Sequence, residues 1–182
     1  MVGLAQALSR AITRVEELCL SWGTLGIALL TVGNVLSRVL LGRSILFAQE
    51  LSQFLIVLVT FMGVGYAVSE GRHIRMTALY DALPARWRKR LMLLITASSS
   101  ALLAWLAWLG FDYAWGTVRV LQPVSPVLQV PLHLVYLAAP LGLGLGAVQY
   151  ALAFVKNVTT EGIHLSFRRT DEYDDAPPQG VP

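Results

Sequence analysis

The stretch Glu70-Gly-Arg-His-Ile-Arg-Met-Thr-Ala-Leu-Tyr-Asp-Ala-Leu-Pro-Ala-Arg-Trp-Arg-Lys-Arg90 decides the fold class of this chain. It contains six of the 14 basic residues and separates two long apolar segments, residues 51–69 and 91–110. Charged side chains are costly in hydrocarbon, so a stretch like this between two apolar helices must lie outside the bilayer core. Its excess of Arg and Lys indicates the cytoplasmic side of a membrane.

The composition and the lengths of the apolar runs agree with this interpretation. Hydrophobic residues make up 55% of the chain and charged residues 14%, whereas about a quarter of the residues in soluble domains are charged. About 20 apolar residues are needed for a helix to cross the bilayer. Four runs qualify, at about 18–41, 51–69, 91–110 and 132–154, and their continuous apolar character argues against a β-barrel. We therefore predict an all-α membrane protein with four transmembrane helices in residues 1–165, followed by a disordered cytoplasmic tail at 166–182.

The distribution of basic residues predicts the orientation. Eleven of the 14 Arg and Lys residues lie in the two termini and the second link, against three near the first and third links. Positively charged segments remain on the cytoplasmic side. Both termini are therefore expected on the cytoplasmic side of the membrane.

Two short amphipathic segments accompany the spans. Before span one, apolar residues repeat every three or four positions from Leu4 to Val15, opposite Arg10 and Arg14. This segment could lie on the membrane or extend span one into the cytoplasm. A short interfacial helix is expected between spans two and three, ending at Pro84. The basic residues after it are candidate contacts for phospholipid headgroups, namely Arg86, Arg88, Lys89 and Arg90.

Span four carries signals for bending and for close packing. Pro140 is expected to bend the helix. Ala138, Gly142 and Gly146 repeat at four-residue spacing, and small residues at this spacing permit close helix approach. They are candidate helix-packing residues.

The sequence contains no recognisable catalytic pattern. There is no glycine-rich phosphate loop, no H-E-x-x-H and no metal-ligand spacing, so we expect no catalytic residue, no metal site and no cofactor. The serines at 98–100 have no paired base and are expected to bond to the backbone or support packing. Because the basic residues cluster at span ends, they indicate orientation and lipid contacts, and no nucleic-acid partner is expected.

Polar residues inside the spans are few. Arg38 lies near the end of span one, with Asn34 one turn before it, and Glu50 begins span two, with Gln53 about one turn after it. Arg38 and Glu50 could form an ion pair or share a polar network with Asn34 and Gln53. Alternatively, each could contact a partner protein. A self-sufficient ion-coupled pump would be expected to carry ionisable groups near the midplane, so this pattern favours a scaffold or accessory subunit.

From Asn34 to Pro140 the chain resembles the small, Q-type membrane subunit of tripartite ATP-independent periplasmic (TRAP) transporters. The resemblance rests on short pieces in a fixed order: Asn34-Val-Leu-Ser-Arg38, Glu50-Leu51, Gly63-Val-Gly-Tyr-Ala67, His73-Ile-Arg-Met76, Leu83-Pro84 and Leu128-Gln-Val-Pro131 with Tyr136-Leu-Ala-Ala-Pro140. It makes Arg72, His73 and Arg75 a candidate interfacial signature. Met76-Thr77 stands where a small hydrophobe followed by an acid is expected.

The resemblance implies a non-catalytic subunit that forms a stable complex with a large, sodium-coupled elevator subunit. It also implies a periplasmic binding protein that docks transiently and delivers an organic acid. Two other classes remain open from the sequence: an assembly or anchoring subunit of an unrelated membrane complex, and a membrane-embedded enzyme. Copurification with a large sodium-coupled permease would favour the transporter subunit, and turnover by the isolated chain would favour the enzyme.

Overall fold

A computed structural model describes residues 2–70 and 84–159. Five α-helices account for most of these residues: α1 (Val2–Leu41), α2 (Leu46–Ser69), α3 (Ala85–Asp112), α4 (Leu132–Tyr136) and α5 (Ala138–Thr159). A π-helical segment, Tyr113–Val118, and a last turn, Arg119–Leu121, continue α3. Four helical stretches are long and apolar enough to cross a membrane, which confirms the predicted all-α fold.

The helices extend beyond the predicted spans. The 40 residues of α1 correspond to about 60 Å of helix at 1.5 Å per residue, twice the hydrocarbon thickness. The N-terminal segment is continuous with span one, so of the two alternatives the structure adopts the extended one. The predicted interfacial helix before Pro84 and the tail at 166–182 lie outside the described residues.

The helices pack side by side in the order α1, α2, α5, α3. In this arrangement α2 contacts both α1 and α5, while α5 contacts both α2 and α3. The N-terminal third of α1 also reaches α5, and α4 contacts α2. Gly23 and Gly26 of α1 lie against Val59 and Leu55 of α2, so these two helices are antiparallel. The contacts of α5 show that it runs parallel to α2 and antiparallel to α3.

Small and polar side chains fill much of the described interior, whereas large apolar side chains are exposed. Trp105 and Trp108 on α3 expose 63% and 68% of their surface, and Leu29 on α1 exposes 64%. Among the most fully buried side chains are Gln149 and Thr96. This distribution is expected where lipid surrounds the helices, because an apolar surface is then at no disadvantage and helix contacts favour small residues.

A short hairpin and a helix break connect α3 to α5. Val124 and Pro131 form an antiparallel bridge, and Gln122 and Gln129 adopt left-handed backbone angles, with φ of 48° and 54°. The break between α4 and α5 lies at Leu137, three residues before Pro140. Pro140 has no N–H to donate to the carbonyl of Tyr136, four residues earlier, so the helix is interrupted between these two residues.

Candidate functional site: two polar clusters in the helical layer

The end of the layer that carries the links at 42–45 and 122–131, here called the link end, is held together by Glu50. This residue is the fifth of α2 and is 6% exposed. Its Oε2 accepts a hydrogen bond of 2.7 Å from the backbone N–H of Leu128 in the hairpin. Ser125 is fully buried beneath that loop, and its Oγ accepts a hydrogen bond from the N–H of Val130. The hairpin is therefore attached to α2 by one carboxylate.

The four polar residues predicted near this end have different surroundings. Asn34 Oδ1 accepts a 2.7 Å hydrogen bond from the N–H of Ile45, which satisfies one of the free donors at the start of α2. Arg38 and Gln53 are exposed. In the described part of the chain no ion pair or hydrogen bond joins Arg38 to Glu50. Asn34 and Glu50 thus bond to the links, whereas the side chains of Arg38 and Gln53 lie on the surface. Their contact with a partner protein stays a prediction.

A second polar cluster, here called the seam, lies between α1 and α5 at the opposite end of the layer. Ser9 Oγ donates to Gln149 Oε1 at 3.1 Å, and Gln149 Nε2 donates to Thr13 Oγ1 at 3.3 Å. Thr13 Oγ1 also donates to the carbonyl of Ser9 at 2.9 Å. The two hydrogen bonds of Gln149 therefore hold the N-terminal third of α1 on α5, and the third bond, within α1, closes the set.

Glu16 continues the seam and has no exposed surface. Neither of its carboxylate oxygens has a hydrogen-bond partner in the part of the chain that the structure describes. The carboxyl group lies against Gly65 of α2, where a Cβ would come within 3.1 Å of Glu16 Cδ and still closer to Oε1. The absence of a side chain at Gly65 therefore leaves room for the carboxyl group.

Sequence reasoning missed the seam because it assigned the apolar face of this segment to the membrane. In the structure the buried stripe is mostly polar: Ser9, Ile12, Thr13 and Glu16. The apolar residues Leu8 and Val15 are exposed. The repeat of polar residues at 9, 13 and 16 was the available signal, since polar residues pack between helices when lipid is the outer solvent.

The candidate helix-packing residues lie where α5 meets its neighbours. Ala138, Gly142 and Gly146 are all buried. A Cβ on Gly142 would collide with the backbone of Phe61 in α2, and its distance to Phe61 Cβ would be 2.9 Å. A Cβ on Gly146 would be 3.6 Å from Gly65 Cα. The α2 and α5 backbones therefore approach closely along Gly142 and Gly146.

The basic residues predicted to contact lipid begin α3, at the end opposite the links. Arg86 and Arg90 are exposed, and Arg88 and Lys89 are partly buried. The Arg90 guanidinium lies 5.3 Å from the centroid of the Trp87 ring. Their contact with phospholipid headgroups stays a prediction. The interfacial signature Arg72, His73 and Arg75 lies outside the described residues.

The serines of span three have packing roles in the structure. Ser98 Oγ donates to the carbonyl of Ile95, and Ser100 Oγ donates to the carbonyl of Ala147 on α5 at 3.0 Å. In the residues described, no group of three or more His, Cys, Asp or Glu side chains could hold a metal ion. Glu50 with its hairpin and the seam thus form two separate polar clusters near the two ends of the layer. No Asp, Glu, Lys or Arg lies in residues 18–37, 51–69, 91–111 or 138–155, which make up most of the four spans.

These features define a polytopic membrane protein with little intramembrane chemistry of its own. Comparison of its sequence with known protein families identifies which one it belongs to. Residues 27–160 match the model of the family described as "Tripartite ATP-independent periplasmic transporters, DctQ component". The chain is 36% identical over 176 residues to the ectoine TRAP transporter small permease protein TeaB of Halomonas elongata, covering 95% of this chain and 89% of TeaB. The chain therefore belongs to the DctQ family of small TRAP transporter permease subunits.

Two further relatives match shorter regions. The C4-dicarboxylate TRAP transporter small permease protein DctQ of Rhodobacter capsulatus is 32% identical over 101 residues, 56% of this chain and 44% of that protein. The isethionate TRAP transporter permease protein DctMQ of Oleidesulfovibrio alaskensis is 26% identical over 103 residues, 57% of this chain and 16% of that protein. The chain is thus a multi-pass, non-catalytic transport subunit, and small TRAP subunits work with a large membrane subunit and a binding protein.

Proposed function

We propose that this chain is the fixed subunit that braces the large subunit of a sodium-coupled TRAP transporter in the membrane. The large subunit would bind substrate and sodium and move as an elevator. A periplasmic binding protein would deliver a small organic acid to the complex. The cargoes named for the three relatives, ectoine, isethionate and C4-dicarboxylates, support a small molecule with an acidic group.

The observation that carries this proposal is the separation of the two polar clusters. Glu50 bonds to the hairpin at the link end, and the seam bonds α1 to α5 at the other end. The helical segments between them contain no Asp, Glu, Lys or Arg. A substrate or ion pathway through a membrane protein normally carries such residues near the midplane. This layer is better suited to holding a shape than to moving a solute.

Close backbone packing supports the bracing role. Gly142 and Gly146 bring α5 against α2. Gly26 does the same for α1 and α2, since a Cβ added there would lie 3.1 Å from Leu55 Cδ1. Interiors packed this closely transmit strain with little deformation. Exposed basic residues and Trp87 at one end, and Trp115 with Arg119 at the other, would anchor the layer at the two interfaces.

Transport assays with and without the large subunit test this function. The small subunit alone, reconstituted in liposomes under a sodium gradient, should take up no more ectoine, isethionate or dicarboxylate than empty liposomes. The large subunit and the binding protein together should require the small subunit for uptake. Uptake by the small subunit alone, or full uptake without it, would contradict the proposal. A complex that works equally well without a sodium gradient would contradict only the sodium coupling.

A further inference from the structure

One face of the α1–α2 pair exposes polar side chains at membrane depth. We call it the polar face, and define it by Thr24, Thr31 and Arg38 of α1 and Gln49, Gln53 and Thr60 of α2, all of which are exposed. These residues repeat at seven-residue intervals along α1 and at four- and seven-residue intervals along α2, the spacing of a single helical stripe. Gln53 lies seven residues inside α2, which places it about 10 Å from the start of the helix.

The two stripes lie on the same side of the helix pair. Gly23 of α1 faces Val59 of α2, because a Cβ on Gly23 would meet the Val59 side chain. Thr24 and Thr60 each follow those residues by one position, a rotation of about 100° in a right-handed helix. Because α1 and α2 are antiparallel, the same rotation from their contact line leads to the same side of the pair. The two stripes therefore form one continuous face.

The partners already present in the chain lie elsewhere on α2. Phe61 and Gly65 contact α5. Measured around the α2 axis, they lie about 200° and 240° from Val59, whereas Thr60 lies about 100° from it, on the other side of the helix. The polar face is thus left uncovered by the rest of the described chain. Thr31 satisfies its own hydroxyl by donating to the carbonyl of Ile27 at 2.7 Å. The guanidinium of Arg38 and the amides of Gln49 and Gln53 cannot be satisfied by hydrocarbon.

The other exposed faces have a different composition. Along α3 the exposed residues from Ala101 to Leu109 are Ala, Leu and Trp. Along α5, Leu141, Val148 and Val155 are exposed. These surfaces suit lipid. The exposed amide and guanidinium groups within the four apolar runs identified from the sequence lie on the polar face. Of the exposed faces, this one is therefore the least suited to contact with lipid.

We propose that the polar face is the surface that binds transmembrane helices of the large subunit, and that those helices present hydrogen-bonding side chains to it. An acidic group or exposed carbonyls would face Arg38, and hydroxyl or amide groups would face Gln53 and Thr60. Ala28, which lies between Thr24 and Thr31, permits close approach of the partner helix. This inference rests on the proposed function, because it assigns the interface of that same complex.

A second copy of this chain fits the polar face less well. A two-fold axis along the membrane normal places identical residues of two copies at the same depth. The two Arg38 guanidinium groups would then face one another at equal depth, and like charges repel where the dielectric is low. In the relative that joins permease functions in one chain, the matched segment is 16% of the protein. The rest of that protein is much longer than the matched segment, which fits a large partner.

Site-specific photocrosslinking in the assembled complex tests the surface. A photoreactive amino acid replaces Gln53 or Thr60 on the polar face, and Leu102 or Trp105 on the exposed face of α3 serves as the matched control. The small subunit is coexpressed with its large subunit and illuminated in native membranes. Adducts of the mass of the small plus the large subunit are expected from Gln53 and Thr60, with only background from Leu102 and Trp105.

Three other outcomes would overturn the surface: adducts with the large subunit only from α3, adducts of twice the small-subunit mass from the polar face, or no adduct from the polar face. Loss of wild-type copurification would instead refute the proposed function itself. As a second measurement, Thr60→Trp should lose the large subunit during copurification, whereas Ala104→Trp, an exposed small residue of α3, should retain it. Both variants are first shown to elute as the isolated, monodisperse small subunit, so that misfolding cannot account for the loss.

Discussion

Glu50 Oε2 accepts a hydrogen bond from the backbone N–H of Leu128 at 2.7 Å, although the two residues are 78 positions apart. The bond fixes the hairpin between α3 and α4 to the N-terminal part of α2. The bond is partly buried, and hydrogen bonds to a carboxylate contribute more to stability than bonds between neutral groups. The hairpin at 122–131 has its own internal hydrogen bonds, and Glu50 adds a bond that attaches it to a distant helix.

We expect Glu50→Ala to loosen this hairpin. The loss of a hydrogen bond to a charged group should lower the free energy of unfolding by about 1.5–3 kcal/mol. Glu50→Gln keeps an oxygen that can accept from Leu128 and should cost less. Thermal unfolding of the purified subunit in detergent measures the difference, with Ser44→Ala in the exposed first link as the control. Equal stability of Glu50→Ala and wild type would show that the bond is unimportant.

Arg38 and Glu50 should behave independently in the isolated subunit. Glu50 bonds to the hairpin and Arg38 is exposed, so their losses of stability should add to within about 0.5 kcal/mol in a double-mutant cycle. The experiment compares Arg38→Ala, Glu50→Ala and the double variant by thermal unfolding. If the double variant loses clearly less stability than the sum of the two single losses, a direct ion pair between Arg38 and Glu50 becomes the better interpretation.

The orientation predicted from the charges can be tested with single cysteines. In a Cys19→Ser background, a cysteine at Ser44 in the first link should react with a membrane-impermeant maleimide in intact cells. A cysteine at Arg86 should react only after the membrane is permeabilised, because eleven of the 14 basic residues favour that side for the cytoplasm. Labelling of Arg86→Cys in intact cells would show that the orientation is the reverse of the predicted one.

The sequence predicted the helices well because each depends on a continuous apolar run. The hairpin attachment by Glu50 was not predictable, since it joins residues 78 positions apart with no local pattern. The polar seam was missed for a different reason. Its residues were visible as Ser9, Thr13 and Glu16, but the sequence interpretation placed only the apolar face of this segment, at the membrane. It did not consider that polar residues pack between helices where lipid is the outer solvent.

The predicted packing residues of span four illustrate what spacing can and cannot convey. The four-residue repeat indicated that small residues would lie on one face. It did not indicate that Gly142 would meet the Phe61 backbone while Gly144 would have no atom within 4 Å of an added Cβ. That distinction depends on which side of α5 the neighbouring helix occupies, which is a property of the assembled layer.

Gly142→Ala should therefore be far more damaging than Gly144→Ala. The added methyl group at Gly142 meets backbone atoms of Phe61, which cannot rotate away, so α2 and α5 must separate. Overpacking of this kind costs about 1–3 kcal/mol. Gly144→Ala adds a better helix former in open space and should be neutral or slightly stabilising. Thermal unfolding of both variants checks this, and equal effects would contradict the close approach at Gly142.

Glu16 and Gly65 should be energetically coupled. An added Cβ at Gly65 would collide with the carboxyl group of Glu16, which is buried and cannot swing into solvent. Gly65→Ala should consequently destabilise the subunit, and Glu16→Ala should relieve much of that loss in the double variant. A coupling energy of about 0.5–3 kcal/mol is expected for residues in direct contact. Gly63→Ala is the control, because its Cβ would lie 3.7 Å from Leu20, an ordinary contact. If Gly65→Ala is equally damaging with and without Glu16, its cost comes from the neighbouring Gly146 backbone, and the carboxyl group does not occupy the space that the glycine leaves.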